Sequence, residues 1–253
     1  MQVRSFTVVR LRRYPVRTII CAMKTAVIIP VFNESERVFA SVHAAQGSEL
    51  AKAVVVVDDG SSPANHDILS NLDNVTLLTH AHNMGKGEAL TTGVTWAKAH
   101  DFDSAVFLDG DLIGIQPHHI KELIDPIEEG AVMTIGYLGM RKAFAKKVYA
   151  KWGALSGQRG LRLAILDLLT EQDKHGFNME AALNARLRKH NLHRQITRVA
   201  LDGVSHIGKR EKEDSLPAAM QAYAQTYGTA MLTYARIELE SLSKEANSTL
   251  TLT

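Results

Sequence analysis

From residue 25 onward, short apolar runs rich in β-branched residues alternate with segments of helical periodicity. This alternation is typical of a parallel sheet built from β-α-β units, because strands that are buried on both faces are apolar along their whole length. The pattern predicts strands at 25–31, 53–57, 75–79, 104–108 and 131–135. It predicts helices at 63–71, 86–99, 117–128, 160–170, 177–190 and 216–242, and one more that starts after an Asn33 cap. We therefore expect an α/β fold, with a mostly parallel sheet flanked by helices and a C-terminal helical extension.

The length and composition of the chain favour one globular domain. Its 253 residues fit a single α/β domain, and 45% apolar with 22% charged residues exclude a disordered or fibrous chain. We expect a basic leader at 1–24, one domain at 25–210, and a C-terminal helix with a polar tail at 211–253. The lone cysteine, Cys21, excludes an internal disulfide or a cysteine zinc cluster and favours a reducing, cytoplasmic compartment.

Positive charge is concentrated in the leader, which has six Lys and Arg residues and no acid before Glu34. Taking those six charges from the net +2 leaves −4, so the basic total is no argument for nucleic-acid binding. We expect a dispensable segment with Met23 as the true start; a transit peptide, a packed strand and a phospholipid-facing arm are the alternatives. The sequence has no run of about 18 apolar residues and predicts no membrane span.

Two carboxylates follow the fourth predicted strand, in the sequence Asp109-Gly110-Asp111. Side chains at i and i+2 of an extended or turn segment project to the same side, so both can face one hard cation such as Mg²⁺ or Mn²⁺. Mg²⁺ is commonly held by one or two carboxylates together with substrate phosphates, which indicates a nucleotide diphosphate. The alternative is a solvated Asp-Gly turn.

The second predicted strand ends in Asp58-Asp59-Gly60, which puts more carboxylates at the edge where open α/β sheets bind ligands. Such carboxylates can accept hydrogen bonds from a ribose or a base. The alternative is a helix N-terminus capped by Ser61 or Ser62.

A glycine-rich loop at 82–90 leads into the predicted helix at 86–99. Its glycines let backbone N–H groups approach a phosphate, and Lys86 adds a point charge. The loop lacks the Walker pattern, and no Gly-x-Gly-x-x-Gly follows the first strand. Kinase-type NTPases and dinucleotide dehydrogenases are therefore excluded.

Residues 141–162 contain seven Lys and Arg side chains and no acid. Because like charges repel unless they are screened, we expect this stretch to hold an anionic ligand. Arg159 is the candidate to grip an acceptor phosphate through two parallel hydrogen bonds. The alternative is a solvated helix face.

The order and spacing of four segments resemble those of family 2 glycosyltransferases of the GT-A fold, which implies a Rossmann-like sheet over about residues 25–210. The segments are IIPVFNE (28–34), VVVVDDGSS (54–62), NMGKGEAL (83–90) and LDGDL (108–112). Within this family, the chain is similar to polyprenyl-phosphate hexosyltransferases of the dolichol-phosphate-mannose synthase type, whose Ser-Gly-x-Arg segment matches residues 156–159. Residues 107–127 also resemble the corresponding stretch of glucosyl-3-phosphoglycerate synthases.

The resemblance implies a nucleotide-sugar site at the carboxyl ends of the strands. Its implied residues are Pro30, Phe32 and Glu34 around the nucleoside, Asp59 at the base or ribose, Lys86 near the nucleotide, and Asp109 at the diphosphate.

The resemblance also implies a metal site and a catalytic base. Asp109 and Asp111 would hold Mg²⁺ or Mn²⁺, with His206 as a third ligand. Glu180 on a late helix is the candidate base, so that the implied catalytic set is Asp111, Glu180 and Arg159. A structural histidine and an exposed helical glutamate are the alternatives for His206 and Glu180.

These observations predict a metal-dependent hexosyltransferase that uses a nucleotide diphosphate sugar, UDP before GDP, and a phosphorylated or lipid-phosphate acceptor. A sugar-1-phosphate nucleotidyltransferase, which usually has a glycine-rich loop where this chain has PVFNE, and a non-catalytic nucleotide-sugar binding protein are the alternatives. The predicted helix at 216–242 fits packing on the domain, a homodimer contact or a membrane surface. We expect a cytoplasmic protein, with peripheral contact at the inner face of the membrane left open.

Overall fold

The computed structural model describes residues 23–138, 156–174, 178–206 and 228–240 of the chain. Its strands are β1 (Thr25–Val31), β2 (Ala51–Asp58), β3 (Thr76–Thr79), β4 (Ser104–Phe107), β5 (Leu112–Ile113), β6 (Met133–Leu138), β7 (Arg159–Arg162), β8 (Ile196–Leu201) and β9 (Ser205–His206). A large sheet has the order β3-β2-β1-β4-β7-β6-β8, and β5 pairs with β9 in a small antiparallel sheet. In the large sheet only β7 runs antiparallel to its neighbours, β4 and β6.

Helices cover both faces of the large sheet. They are α1 (Val38–Gln46), α2 (Pro63–Ser70), α3 (Lys86–Ala99), α4 (Pro117–Glu128), α5 (Glu171–Lys174), α6 (Asn178–Lys189) and α7 (228–240), with 3₁₀ turns at Ser35–Arg37, Leu163–Leu168 and His193–Gln195. Successive residues of β1 face opposite sides: Ile28 packs in the core with α3 and α6, whereas Val27 and Ile29 pack with α1 and α4. Among the helices described, none combines the length and the apolar character that crossing a bilayer requires.

The five predicted strands are confirmed as β1, β2, β3, β4 and β6, and the predicted helices at 63–71, 86–99, 117–128 and 177–190 correspond to α2, α3, α4 and α6. The predicted helix at 216–242 is seen as α7, and its remaining residues lie outside the described ranges, as does the leader up to residue 22. The mostly parallel α/β fold is therefore confirmed.

The predicted helix at 160–170 is wrong. Arg159–Arg162 form β7, and Leu163–Leu168 form a 3₁₀ turn. An ideal Cβ on Gly160 would lie 2.3 Å from the carbonyl oxygen of Leu123, so a glycine lets β7 pass this close to α4. Pairing with β4 and β6 in the core thus overrides the helical periodicity of the local sequence.

The predicted Asn33 cap is also wrong, because α1 begins only at Val38. Asn33 has a φ of 56°. Its side-chain oxygen accepts a hydrogen bond from the Ser62 N–H at 2.8 Å, and its own N–H donates to Ser61 Oγ at 3.0 Å. Asn33 therefore ties the loop after β1 to the loop after β2.

The loops after β1, β2 and β4 emerge at one edge of the large sheet, here called the carboxyl edge. Parallel pairing places Val31 of β1 beside Asp58 of β2, and Ile28 of β1 beside Phe107 of β4. Strands that run in the same direction end at the same edge, which is where open α/β sheets bind ligands. The carboxyl edge therefore carries the candidate site.

A buried ion cluster fastens α7 to α5 and α6. Asp173 of α5 is fully buried and accepts hydrogen bonds from Arg186 of α6 and Arg236 of α7. Glu240 of α7 lies 2.6 Å from Arg186 Nη1 and 2.9 Å from Arg236 Nη1. Burial raises the pKa of Asp173, but the hydrogen bonds from the two arginines and from Thr170 outweigh burial and bring the pKa to about 2.

We expect Asp173→Asn to lower the free energy of unfolding by about 3 kcal/mol, because two guanidinium groups lose the anion that they share. Urea denaturation at neutral pH measures the change. In the wild type, the stabilisation from Asp173 is present above the pKa of the unfolded carboxyl, about 4, and is lost as the pH falls toward 2.

Asp167→Asn is the matched control, since it breaks the exposed ion pair between Lys98 and Asp167 and should change stability by less than about 1 kcal/mol. An Asp173→Asn protein as stable as the wild type would show that Asp173 is not needed to hold α7.

Candidate active site

Asp109, Gly110 and Asp111 form a tight turn directly after β4, at the carboxyl edge. The Ser41 hydroxyl of α1 donates to the Asp109 carbonyl oxygen at 2.8 Å. An ideal Cβ on Gly110 would lie 3.4 Å from Val31 Cγ2 of β1. The acidic turn is therefore packed between the end of β1 and the side of α1, and Asp111 is only 9% exposed.

Lys86 joins two carboxylates that are far apart in the sequence. It is the first residue of α3, and its Nζ lies 2.7 Å from Asp109 Oδ1 and 2.9 Å from Oε1 of Glu180 on α6. Burial disfavours the charged amine, but the two carboxylates outweigh burial and raise the pKa of Lys86 above its ordinary value. Lys86 therefore remains an ammonium ion that holds α3, α6 and the acidic turn together.

Asp109 has a donor on each of its carboxylate oxygens. Lys86 contacts Oδ1, and Gln158 Nε2 donates to Oδ2 at 2.7 Å. Burial raises the pKa of Asp109, but the ammonium, the amide and a smaller electrostatic effect of His206 outweigh burial and lower the pKa. The Asp109 carboxylate is therefore held ionised and in a defined orientation.

Asp59 is buried and holds the glycine-rich loop. The N–H groups of Met84 and Gly85 donate to its carboxylate oxygens at 2.9 and 2.7 Å, and His80 Nδ1 lies 2.7 Å from Oδ1. These bonds fix the backbone immediately before Lys86. The contact of Asp59 with a base or ribose remains a prediction, because the bonds seen here all go to this loop and to His80.

The residues predicted to bind the nucleoside lie near the end of β1 or just after it, beside the acidic turn. They are Pro30, Phe32 and Glu34. An ideal Cβ on Gly110 would lie 3.5 Å from the Pro30 carbonyl oxygen and 3.7 Å from Glu34 Cγ. Phe32 is 45% exposed, so its ring is accessible from solvent. The structure thus brings these residues to the carboxyl edge, and their contact with a nucleoside remains a prediction.

His206 reaches the acidic turn through the small sheet of β5 and β9. Its partner in the antiparallel register is Leu112, the residue that follows Asp111. The chain segments that flank this sheet, after β5 and before β9, also approach closely. An ideal Cβ on Gly114, whose φ is +77°, would lie 2.4 Å from the Gly203 carbonyl oxygen. The exposed imidazole of His206 is thereby placed on the strand beside the acidic turn.

His119 of α4 secures the turn between β8 and β9. Its Nδ1 accepts the N–H of Gln116, and its Nε2 donates to the Asp202 carbonyl oxygen, each at 3.0 Å. Burial lowers the pKa of His119, which favours the neutral ring that this pair of bonds requires. The sequence contains no local signal for this role.

The metal site at the acidic turn remains a prediction. Carboxylate and imidazole groups are ligands for Mg²⁺ or Mn²⁺, and the predicted set of Asp109, Asp111 and His206 has this chemistry. Within the ranges that the structure describes, no three His, Cys, Asp or Glu side chains form a metal-binding group by themselves. Two carboxylates are nevertheless enough for Mg²⁺ when phosphate oxygens provide other ligands.

The contact of Arg159 with an acceptor phosphate remains a prediction, and in the structure its side chain is fully buried. Its Nε donates to the Ser156 carbonyl oxygen at 2.7 Å, and its Nη1 donates to Oδ1 of Asn184 on α6 at 2.9 Å. Arg162 similarly donates to two backbone carbonyl oxygens at the end of α4 and just after it. These two charges therefore stabilise the fold, and the cations at 141–151 lie outside the described residues.

Two side chains of the site were missed in the sequence. Gln158 contacts Asp109 from within the Ser-Gly-Gln-Arg segment, so the resemblance pointed to the segment but not to the amide. His80 contacts Asp59 and, through Nε2, lies 2.9 Å from Thr92 Oγ1. Nothing in the sequence around His80 distinguishes it from a surface histidine.

Comparison with known proteins identifies the family of this chain. The family model described as glycosyl transferase family 2 matches residues 26–179. The polyprenol monophosphomannose synthase of Mycolicibacterium smegmatis is 29% identical over 118 residues, which are 45% of this chain and 44% of that protein. The chain thus spans less than half the length of this relative.

Solved structures of glucosyl-3-phosphoglycerate synthase from Mycobacterium tuberculosis share the fold. The complex with Mn²⁺, UDP-glucose and glycerol 3-phosphate has a TM-score of 0.67 at 19% identity, over 84% of this chain and 80% of that chain. The complex with Mg²⁺ and UDP has a TM-score of 0.66 at 19% identity, with the same coverage. These likenesses establish a GT-A-like fold, and because the family model covers more than half of the sequence, the chain belongs to glycosyl transferase family 2.

Proposed function

We propose that this chain is a metal-dependent hexosyltransferase that moves a sugar from a nucleotide diphosphate, UDP in preference to GDP, to a phosphorylated or lipid-phosphate acceptor. The observation that carries the proposal is the contact of Lys86 with both Asp109 and Glu180. It joins a positive charge, a carboxylate suited to metal binding and a carboxylate suited to proton transfer at one edge of the sheet.

The relatives support the two acceptor classes differently. The name of the Mycolicibacterium smegmatis relative supports a polyprenol-linked phosphate as acceptor. The complexes of the Mycobacterium tuberculosis enzyme with UDP-glucose, glycerol 3-phosphate and phosphoglyceric acid support a UDP-sugar donor and a small phosphorylated acceptor. Both classes are consistent with membership of one family.

The charge of the site favours a donor that arrives with a cation. At the acidic turn, as far as the chain is described, Asp109, Asp111 and Glu180 provide three carboxylates, and the ammonium of Lys86 contacts two of them. A diphosphate would be repelled by this balance unless a divalent cation screened it. Asp109, Asp111 and His206 would hold Mg²⁺ or Mn²⁺, which would offset the charge that develops on the leaving diphosphate.

Glu180 is the proposed base. Its side chain is 10% exposed and pairs with Lys86, which also contacts Asp109 of the acidic turn. It would take the proton from an acceptor hydroxyl as that oxygen attacks the anomeric carbon and the bond to the diphosphate breaks. A phosphate oxygen, which is already ionised at neutral pH, would need no such base.

Turnover with a panel of donors and acceptors tests the proposal. We expect release of UDP or GDP from a matching sugar nucleotide in the presence of Mn²⁺ and of glycerol 3-phosphate, phosphoglyceric acid or a polyprenyl phosphate. Pyrophosphate released from UTP and glucose 1-phosphate would support a nucleotidyltransferase instead. Thermal stabilisation by sugar nucleotides without any turnover would support a binding protein.

We expect Asp111→Asn to lower kcat with Mn²⁺ by about 100-fold or more, because an amide lacks the charge that binds the cation. The melting temperature should stay close to that of the wild type. Asp125→Asn, which breaks the exposed pair of Asp125 with Lys121, is the control and should leave kcat unchanged. Full activity of Asp111→Asn, or of the wild type in EDTA, would disprove the metal dependence.

We expect Glu180→Gln to separate the two acceptor classes. With an acceptor that attacks through a hydroxyl, kcat should fall about 100-fold or more because the base is lost, while the Kd for the donor changes by only a few fold. With a polyprenyl phosphate, kcat should fall much less. Unchanged kcat with a hydroxyl acceptor would exclude Glu180 as the base; the measurements are steady-state kinetics and donor titration.

A further inference from the structure

The segment of residues 156–159 packs against the ion pair of Asp109 and Lys86, and its last residue begins β7. Ser156, Gln158 and Arg159 each form a side-chain hydrogen bond with another part of the fold or of the segment. Gly157 lies against the ion pair itself. Gln158 and Arg159 are buried. The segment is therefore part of the site and not merely a connection between strands.

The Gln158 amide can take only one orientation. A carboxylate only accepts hydrogen bonds, so the amide nitrogen must face Asp109, where it lies 2.7 Å from Oδ2. The amide oxygen lies 2.8 Å from Ser156 Oγ, which is also 2.5 Å from the carbonyl oxygen of Gly136 on β6. The Ser156 hydroxyl has one proton for these two acceptors, so the bond to Asp109 is the contact that orients the carboxylate: Gln158 fixes the position of Asp109 Oδ2.

Gly157 leaves space for the ion pair itself. An ideal Cβ at this position would lie 2.5 and 2.6 Å from the Asp109 carboxylate oxygens and 2.6 Å from Lys86 Nζ. These atoms are the ends of flexible side chains, so an added methyl group would move the ion pair and leave the backbone in place. The missing side chain of Gly157 thus defines where the two charges sit.

Arg159 links the same segment to the helix that carries Glu180. It binds the Ser156 carbonyl oxygen and Asn184, and Asn184 lies one helical turn after Glu180 on α6. The segment therefore has a fixed position relative to both carboxylates that contact Lys86.

We propose that Gln158 and Gly157 are positioning residues for the donor: they set the place of the Asp109 carboxylate and the Lys86 ammonium, beside which a metal-bound diphosphate would be held. This inference rests on the proposed function. Gln158 suits the task because it is a neutral donor, which orients Asp109 without cancelling the charge that a cation needs.

Two substitutions test the inference. Gln158→Met keeps the length of the side chain and removes the donor, and Gly157→Ala adds one methyl group against the ion pair. The probe is UDP with Mn²⁺, or GDP with Mn²⁺ if that nucleotide binds the wild type better, in isothermal titration calorimetry. Each variant should raise the Kd about tenfold or more, and should lower kcat with little change in the KM for the acceptor.

Matched controls come from the same chain. Gln46→Met removes an amide that donates to the Asp73 carbonyl oxygen at 2.6 Å on the surface. Gly228→Ala adds a methyl group at the start of α7, where an ideal Cβ would meet no atom within 4 Å. Both controls should bind the nucleotide as the wild type does.

A double-mutant cycle separates positioning from a general loss of stability. In an Asp109→Asn background, Gln158→Met should cause no further loss of nucleotide affinity, because the carboxylate that Gln158 orients is gone. Equal losses in both backgrounds would indicate a structural role and overturn the inference. If Gln158→Met does not fold, Ser156→Ala, which frees the amide oxygen, replaces it in the same cycle.

The experiments distinguish a failure of the inference from a failure of the proposed function. A wild type that binds the nucleotide with Mn²⁺, together with Gln158→Met and Gly157→Ala variants of equal Kd and kcat, overturns the inference alone. A wild type that binds neither UDP nor GDP in the presence of Mn²⁺ overturns the proposed function and the inference with it.

Discussion

The ammonium of Lys86, held between Asp109 and Glu180, is the interaction on which the rest of the site depends. It joins three elements that meet only in the folded chain: α3, the acidic turn after β4, and α6. Two carboxylates in a partly buried environment would repel each other without a cation between them. The ion pair therefore gives the site a defined geometry, in which one ammonium bridges the carboxylate proposed for the metal and the carboxylate proposed as the base.

Other contacts hold the segments that carry these charges, and several require the absence of a side chain. Asp59 binds the backbone just before Lys86, and an ideal Cβ on Gly60 would lie 2.3 Å from the carbonyl carbon of His82 in the same loop. Gly157 likewise has no side chain that would displace the ion pair of Asp109 and Lys86. Gly60 thus lets two backbone segments approach each other, and Gly157 lets the backbone approach two charged side chains.

Several buried or partly buried Arg side chains stabilise the fold. Arg159 binds a carbonyl group and an amide in the core, and Arg186 and Arg236 share Asp173. A buried guanidinium group needs several acceptors, and the backbone and α6 supply them here. The sequence of a stretch therefore gives the number of its charges, whereas the exposure of each charge depends on which elements pack over it.

The sequence by itself determined the central strands and the acidic turn. The runs at the centre of β1, β2 and β4 are apolar and rich in β-branched residues, which favours buried strands, and the parallel arrangement brings Asp58, Asp59 and Asp109 to one edge. Only the tertiary structure decided that Arg159 lies in β7 and not on a basic helix, that Gln158 orients Asp109, and that Lys86 meets Glu180. The physical reason is that periodicity records how one segment is buried, whereas the partner of a polar group is chosen by packing between segments that are distant in the chain and leave no local pattern.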